Sequence, residues 1–202
     1  MDQFLEKFFD SVPRARILRL FMQNPYDLFP LEAVVKRTQI KKGSCRKEID
    51  KLEKLKIVLC KATTSKQQKG KKTKIKKTEA FGADPAFEFF TEIRELVSHS
   101  SVASKNKLLK QVRGLGGVKL AIISGVFLNQ ENARVDLLLV GDNIPKGKLN
   151  RFLAHMESEL GRSVQYTLME TDEFKYRLGM YDRFLRDILE YPHEKLINRL
   201  GI

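Results

Sequence analysis

The sequence predicts a chain of mixed α and β structure, in the α/β (α+β) class, organised as two modules. Three observations carry this. Apolar residues recur at helical spacing through residues 12–55, whereas compact apolar runs bounded by turn residues, "VKLAII" and "DLLLV", stand out only after residue 117. Between these regions lie a lysine-rich stretch and a polar break. The charge divides at the same place. Residues 1–83 hold 21 Lys and Arg against 9 Asp and Glu, a net of +12, and residues 84–202 hold 17 against 16, a net of +1. A device for general solubility would spread its charge; this asymmetry points to a polyanion-binding module joined to an electrically ordinary one.

Composition excludes several classes. Apolar content is 42%, enough for one large core or two small ones in 202 residues. No apolar run approaches the roughly 18 residues of a membrane span. The opening "MDQFLEKFFD" is acidic and amphipathic, so no signal peptide is expected, and a reducing cytoplasm is the expected location. Cys45 and Cys60 sit alone and His99, His155 and His193 are scattered singly, a pattern that predicts neither a disulfide framework nor a zinc site.

In the first module, Val12, Ile17, Leu18, Phe21 and Met22 mark one helix within "SVPRARILRLFMQNP", closed by Pro25. Leu31, Val34, Val35 and Ile40 mark a second, with Pro30 at its start, where a missing N–H costs little. A third follows in "GSCRKEIDKLEKL": Cys45, Ile49, Leu52 and Leu55 form its apolar stripe, and Arg46, Lys47, Asp50 and Lys54 lie opposite. "IVLCKATT" and "KTKIKKTEAF" read as two strands joined by the polar loop "SKQQKGKK". Residues 66–77 carry seven lysines, Lys66, Lys69, Lys71, Lys72, Lys74, Lys76 and Lys77, and no acid. Three short helices and a basic hairpin outline a winged helix-turn-helix over residues 1–83. The stretch "RTQIKKGSCRKEIDKLEKLKIV" resembles winged helix-turn-helix regulators of the ArsR type, departing at Lys56, where a glycine commonly ends the recognition helix. Their cysteine metal-sensor motifs are absent. The resemblance implies that Lys42, Ser44, Arg46, Lys47 and Lys51 lie at or near the major groove of double-stranded DNA, and that Lys66, Lys69, Lys71, Lys72 and Lys74 grip phosphate.

Residues 84–116 read as linker helices. Phe87, Phe90, Ile93, Leu96 and Val97 stripe a helix expected from Pro85 to about Val97, suited to core packing or to a dimer seam, and a homodimer is expected. Residues 117–202 then alternate: "VKLAIISG", "RVDLLLVGD" and "SVQYTLME" read as strands, residues 146–160 as the helix between the last two, and the end of the chain as helices with a last short strand. "DLLLVGD", "ELGRSVQYTLMETDEFKYRL" and "DRFLRDIL" make this region resemble the minimal nucleotidyltransferase domain found behind winged helix-turn-helix modules in prokaryotic regulators.

Such enzymes hold a triphosphate on a Gly-Ser turn and two divalent ions on an Asp-x-Asp pair with a third carboxylate, the alternate spacing placing both acids of the pair on one face of a strand. Here the turn is Gly125-Val126 and the pair is Arg134-Val135-Asp136, and "SVQYTLM" carries no acid before Glu170. A guanidinium in the place of a carboxylate repels metal and is expected to pair with Asp136 itself. The expectation is therefore a pseudoenzyme with no metal, no cofactor and no catalytic residue, serving dimerisation, a protein partner or nucleotide sensing behind a cytoplasmic DNA-binding transcription regulator. Two alternatives stay open: an active metal-dependent nucleotidyltransferase that modifies a toxin or RNA and regulates its own gene, and an RNA-binding protein. The absence of aromatic residues from 41–80 weighs against single-stranded RNA.

Overall fold

A computed structural model describes the backbone of residues 4–69, 72–99, 105–128, 130 and 132–202, and their side chains except those of 64–69, 72–77 and 99. The protein is mixed α+β, with two small sheets. It divides into two compact units, one holding Gln3–Ser101 with Glu157–Arg162 and the other Val102–Met156 with Ser163–Ile202. Among the described residues no helix is long and apolar enough to cross a membrane.

The first unit opens with α1 (Phe4–Phe8) and α2 (Val12–Gln23). Ser11 caps α2 by accepting from Arg14 N at 3.2 Å, Pro13 occupies the first turn, and Asn24 Nδ2 donates back to Leu20 O at the far end. A two-residue strand β1 (Phe29–Pro30) leads into α3 (Leu31–Thr38), then α4 (Lys42–Lys54). The hairpin β2 (Val58–Lys69) and β3 (Lys72–Ala83) follows, and α5 (Phe90–His99) ends the run. The sheet order is β1-β3-β2, antiparallel throughout. Ile17, Leu18, Phe21, Val34, Cys45, Ile49, Leu52, Val58, Phe81 and Val97 are buried in one core, which uses the periodic residues of every helix from α2 to α5.

Five details differ from the sequence reading. The strands of the hairpin extend until Lys69 pairs with Lys72, leaving residues 70–71 between them instead of an eight-residue loop. Leu55 leaves the stripe of α4 and is 60% exposed. The chain reverses there: Lys56 takes a left-handed φ of 59°, Ile57 N donates to Leu52 O and Lys56 N to Glu53 O, a Schellman ending with lysine where glycine is favoured. The helix expected from Pro85 starts at Phe90, because Asp84 holds residues 85–87 in a turn by accepting from Ala86 N and Phe87 N. Val12, in the first turn of α2, is 43% exposed. The apolar stripe of α5 packs onto the first unit's core, so residues 84–116 divide between the units.

The second unit contains α6 (Lys105–Gly114), β4 (Val118–Ile123), a single 3-10 turn (Gly125–Phe127), β5 (Leu137–Gly141), α7 (Lys146–Leu160) as far as Met156, β6 (Tyr166–Met169), α8 (Thr171–Gly179), α9 (Arg183–Glu190) and β7 (Glu194–Asn198). The sheet order is β6-β5-β4-β7: β5 and β6 are parallel, joined through α7, and the other pairs are antiparallel. β5 is buried along its whole length and β4 at every residue but Lys119, as their near-continuous apolar sequences require. Leu120, Ile122, Leu138 and Val140 form a core with Phe174 of α8 and Leu185 and Ile188 of α9.

Candidate functional site

The outer surface of α4 is the first candidate, and its cations fall into two groups. Lys47 and Ser44 stand exposed, beside Lys41 just before the helix, and among the described residues none of the three forms an ion pair. Lys42 is also exposed, with a loose pair to Glu32 at 3.2 Å. These groups sit around the N-terminal end of a 13-residue helix, where free backbone N–H groups and the helix dipole favour an anion.

Arg46 and Lys51 belong to the second group. Lys51 Nζ is 2.7 Å from Glu48 Oε1, and Glu48 Oε2 takes a second bond at 2.9 Å from Arg14 Nε on α2. Burial pushes the Glu48 carboxyl up, but the two cationic donors together outweigh it and hold the group below its ordinary range. Glu48 therefore fastens α4 to α2. Arg46 is held from three sides: Glu79 Oε2 of β3 lies 2.7 Å from Nη1, Asp50 Oδ1 lies 2.8 Å from Nε, and the guanidinium sits over the Phe81 ring, 5.1 Å from its centroid. The hydrogen bond that Arg46 donates to Glu79 raises the Arg46 pKa further. Lys66, Lys69, Lys72 and Lys74 belong to the backbone ladder of β2 and β3, but their side chains lie outside the described residues, as does Lys71 altogether.

The second candidate is the turn after β4, where the structure corrects the sequence reading. Arg134 does not pair with Asp136. Its Nε and Nη2 both contact Asp187 Oδ2 of α9, at 2.9 and 2.8 Å. The period-two argument fails there because β5 begins at Leu137, so residues 134–136 precede the strand. Asp136 is buried, and its carboxylate closes the turn: Oδ1 accepts from Val126 N at 2.9 Å and Oδ2 from Gln165 N at 2.8 Å. Gly125 has φ of 53°, and a Cβ on it would overlap Asp136 Oδ1. Ser124, which the sequence reading passed over, donates from Oγ to Val135 O.

A cleft of about 350 Å³ opens beside this turn, lined by Ser124, Asn132, Arg134, Asp187, Ile188 and Tyr191 among others. A pair of divalent ions does not fit these residues. Both oxygens of Asp136 face backbone donors and Asp187 faces a guanidinium, and among the described residues no group of three or more His, Cys, Asp or Glu side chains could hold a metal. Glu170 follows the last residue of β6 and stands at the N-cap position of α8, without a side-chain cap bond. At the other end of β5, Asp142 is held down to about 2 by the hydrogen bond from Lys119 at 2.7 Å and by Thr171 N and Oγ1, which ties β5 to α8.

The chain matches no protein-family model, no curated protein and no solved structure.

Proposed function

We propose that the protein is a transcription regulator that binds double-stranded DNA through its first unit, a winged helix-turn-helix of ArsR-like type, with α4 as the helix entering the major groove and the β2–β3 hairpin as the wing. One observation carries this reading. Within a segment holding +12 of the chain's +13, the helix that follows α2 and α3 turns Lys41, Ser44 and Lys47 outward at its N-terminal end and its apolar stripe inward. That combination supplies phosphate attraction and side chains able to reach base edges on one rigid element. Lys47 takes the role of base reader, the wing lysines that of phosphate contacts, and Lys51 the role of a surface charge secured to Glu48.

In the same reading the second unit is a nucleotidyltransferase-like scaffold without the chemistry, because the one acid left of the Asp-x-Asp pair is committed to two backbone amides. It serves assembly or partner recognition. Selection from a random duplex library tests the whole proposal: the full chain should enrich a defined sequence, and Lys47→Ala should lower its preference over random duplex by about 1–3 kcal/mol. Changing Lys71, Lys72 and Lys74 together to Ala should weaken both duplexes alike. Enrichment of no sequence, or incorporation of label from a nucleotide that is lost in Asp136→Ala, would replace this proposal by one of an RNA-binding protein or an enzyme.

A further inference from the structure

The hold on Arg46 has a consequence for how α4 chooses its DNA. Arg46, Asp50 and Glu79 together carry one positive and two negative charges, so the trio is a net anion inside the most basic part of the chain. The geometry imitates a ligand. Two carboxylates occupy separate edges of the guanidinium while Phe81 covers its face, much as a phosphate or the O6 and N7 of a guanine would engage it. Asp50 is a neighbour one turn along α4 and is unavoidable wherever Arg46 sits. Glu79 is different: it comes from β3, 33 residues away, and is 60% exposed at the surface where the wing leaves α4. Its carboxylate therefore occupies the Nη1 edge of Arg46 that any other acceptor would need.

We propose that Glu79 is a specificity-determining residue, withholding Arg46 from any nucleic acid that cannot replace it with two well-placed acceptors. The inference rests on the DNA-binding reading of the first unit. An arginine neutralised in this way adds nothing to long-range attraction, so it leaves binding to random duplex weak. It is released only by a close bidentate acceptor, so its contribution is kept for the correct site. Glu79 positions Arg46 and need not touch DNA itself.

The experiment measures affinity of the full chain for a random duplex and for the selected duplex, between 50 and 200 mM salt, in wild type, Glu79→Gln, Arg46→Ala and the double variant. Glu53→Gln, an exposed acid on α4, reports the general effect of removing one negative charge. Glu79→Gln should tighten random-duplex binding by about threefold or more at the low-salt end and steepen the log–log slope by about 0.9, the signature of one added phosphate contact. Affinity for the selected duplex should change less, so discrimination falls. Both effects should vanish in the Arg46→Ala background and exceed those of Glu53→Gln. A gain that persists without Arg46, or that Glu53→Gln matches, overturns the proposal while leaving DNA binding intact. Failure of wild-type protein to bind either duplex overturns the underlying reading as well, and the two failures are told apart by that control alone.

Discussion

The two candidate sites hold their charged groups in opposite ways. At the start and on the outer face of α4, Lys41 and Lys47 stand in solvent with no ion-pair partner among the described residues, and even Arg46 is held by acids that are themselves about half exposed. At the turn before β5, Asp136 is buried and both its oxygens accept from backbone amides. A charge in solvent is available to a partner at small cost, whereas a buried carboxylate with its acceptors filled must first break the turn that it closes. The difference separates charges open to solvent from a structural joint, even though both began as polar motifs in the sequence.

Substitutions can break or sharpen this contrast. The largest effect belongs to Asp136→Ala, which strands Val126 N and Gln165 N and should cost about 2–5 kcal/mol in chemical denaturation, with DNA affinity unchanged at temperatures where the fold persists. Asp136→Asn, which keeps one acceptor, should cost less. A cost below about 1 kcal/mol for Asp136→Ala would mean that the acid is free for other work. Next comes Glu48→Ala, which removes the tie between α2 and α4 and leaves Arg14 without its acceptor; about 1–3 kcal/mol is expected, with weaker DNA binding because α4 loses its anchor. Lys56→Gly should stabilise by about 1 kcal/mol, since glycine accepts the left-handed φ that costs lysine. Arg134→Ala should cost under about 1 kcal/mol, its pair with Asp187 being half exposed on the arginine side.

Acid sharpens the same contrast through the carboxylates. Glu48 and Asp142 both have folded-state pKa values held below the ordinary ones, so each contributes stability that is present above its unfolded value and is lost as pH falls through the folded value. For Asp142 the window runs from 3.8 down to about 2. Wild-type protein should therefore lose stability progressively below about pH 4, and Asp142→Asn should flatten the lower part of that loss.

What the sequence made legible was periodic. The stripes of α2, α3 and α4 apart from Val12, Ile40 and Leu55, the helix α7 over Lys146–Leu160 and the apolar runs of the three strands from β4 to β6 follow from local spacing. What it hid was set by contacts across the chain. Nothing near Arg134 signals Asp187, 53 residues on, and an aspartate two residues away looked the nearer partner. Nothing near Arg46 signals Glu79 on another element. Leu55 fits the helical period, but the left-handed turn at Lys56 ends the helix before the period can apply. Similarly, "RVD" has the alternation of a strand and lies outside one, because the strand is defined by its pairing with β4 and β6 from Leu137 onward.

The central claim is that the first unit's exposed cations bind the phosphate backbone of duplex DNA, and its most direct test is the salt dependence of that binding. Fluorescence anisotropy of the full chain titrated into a labelled duplex, repeated from 50 to 200 mM salt, gives the slope of log K against log salt. The account predicts a slope of several units, about −0.9 for each phosphate contacted, reduced by about one unit in Lys41→Ala and unchanged in Arg134→Ala. A slope near zero, or a slope that Lys41→Ala leaves untouched while Arg134→Ala lowers it, would contradict it.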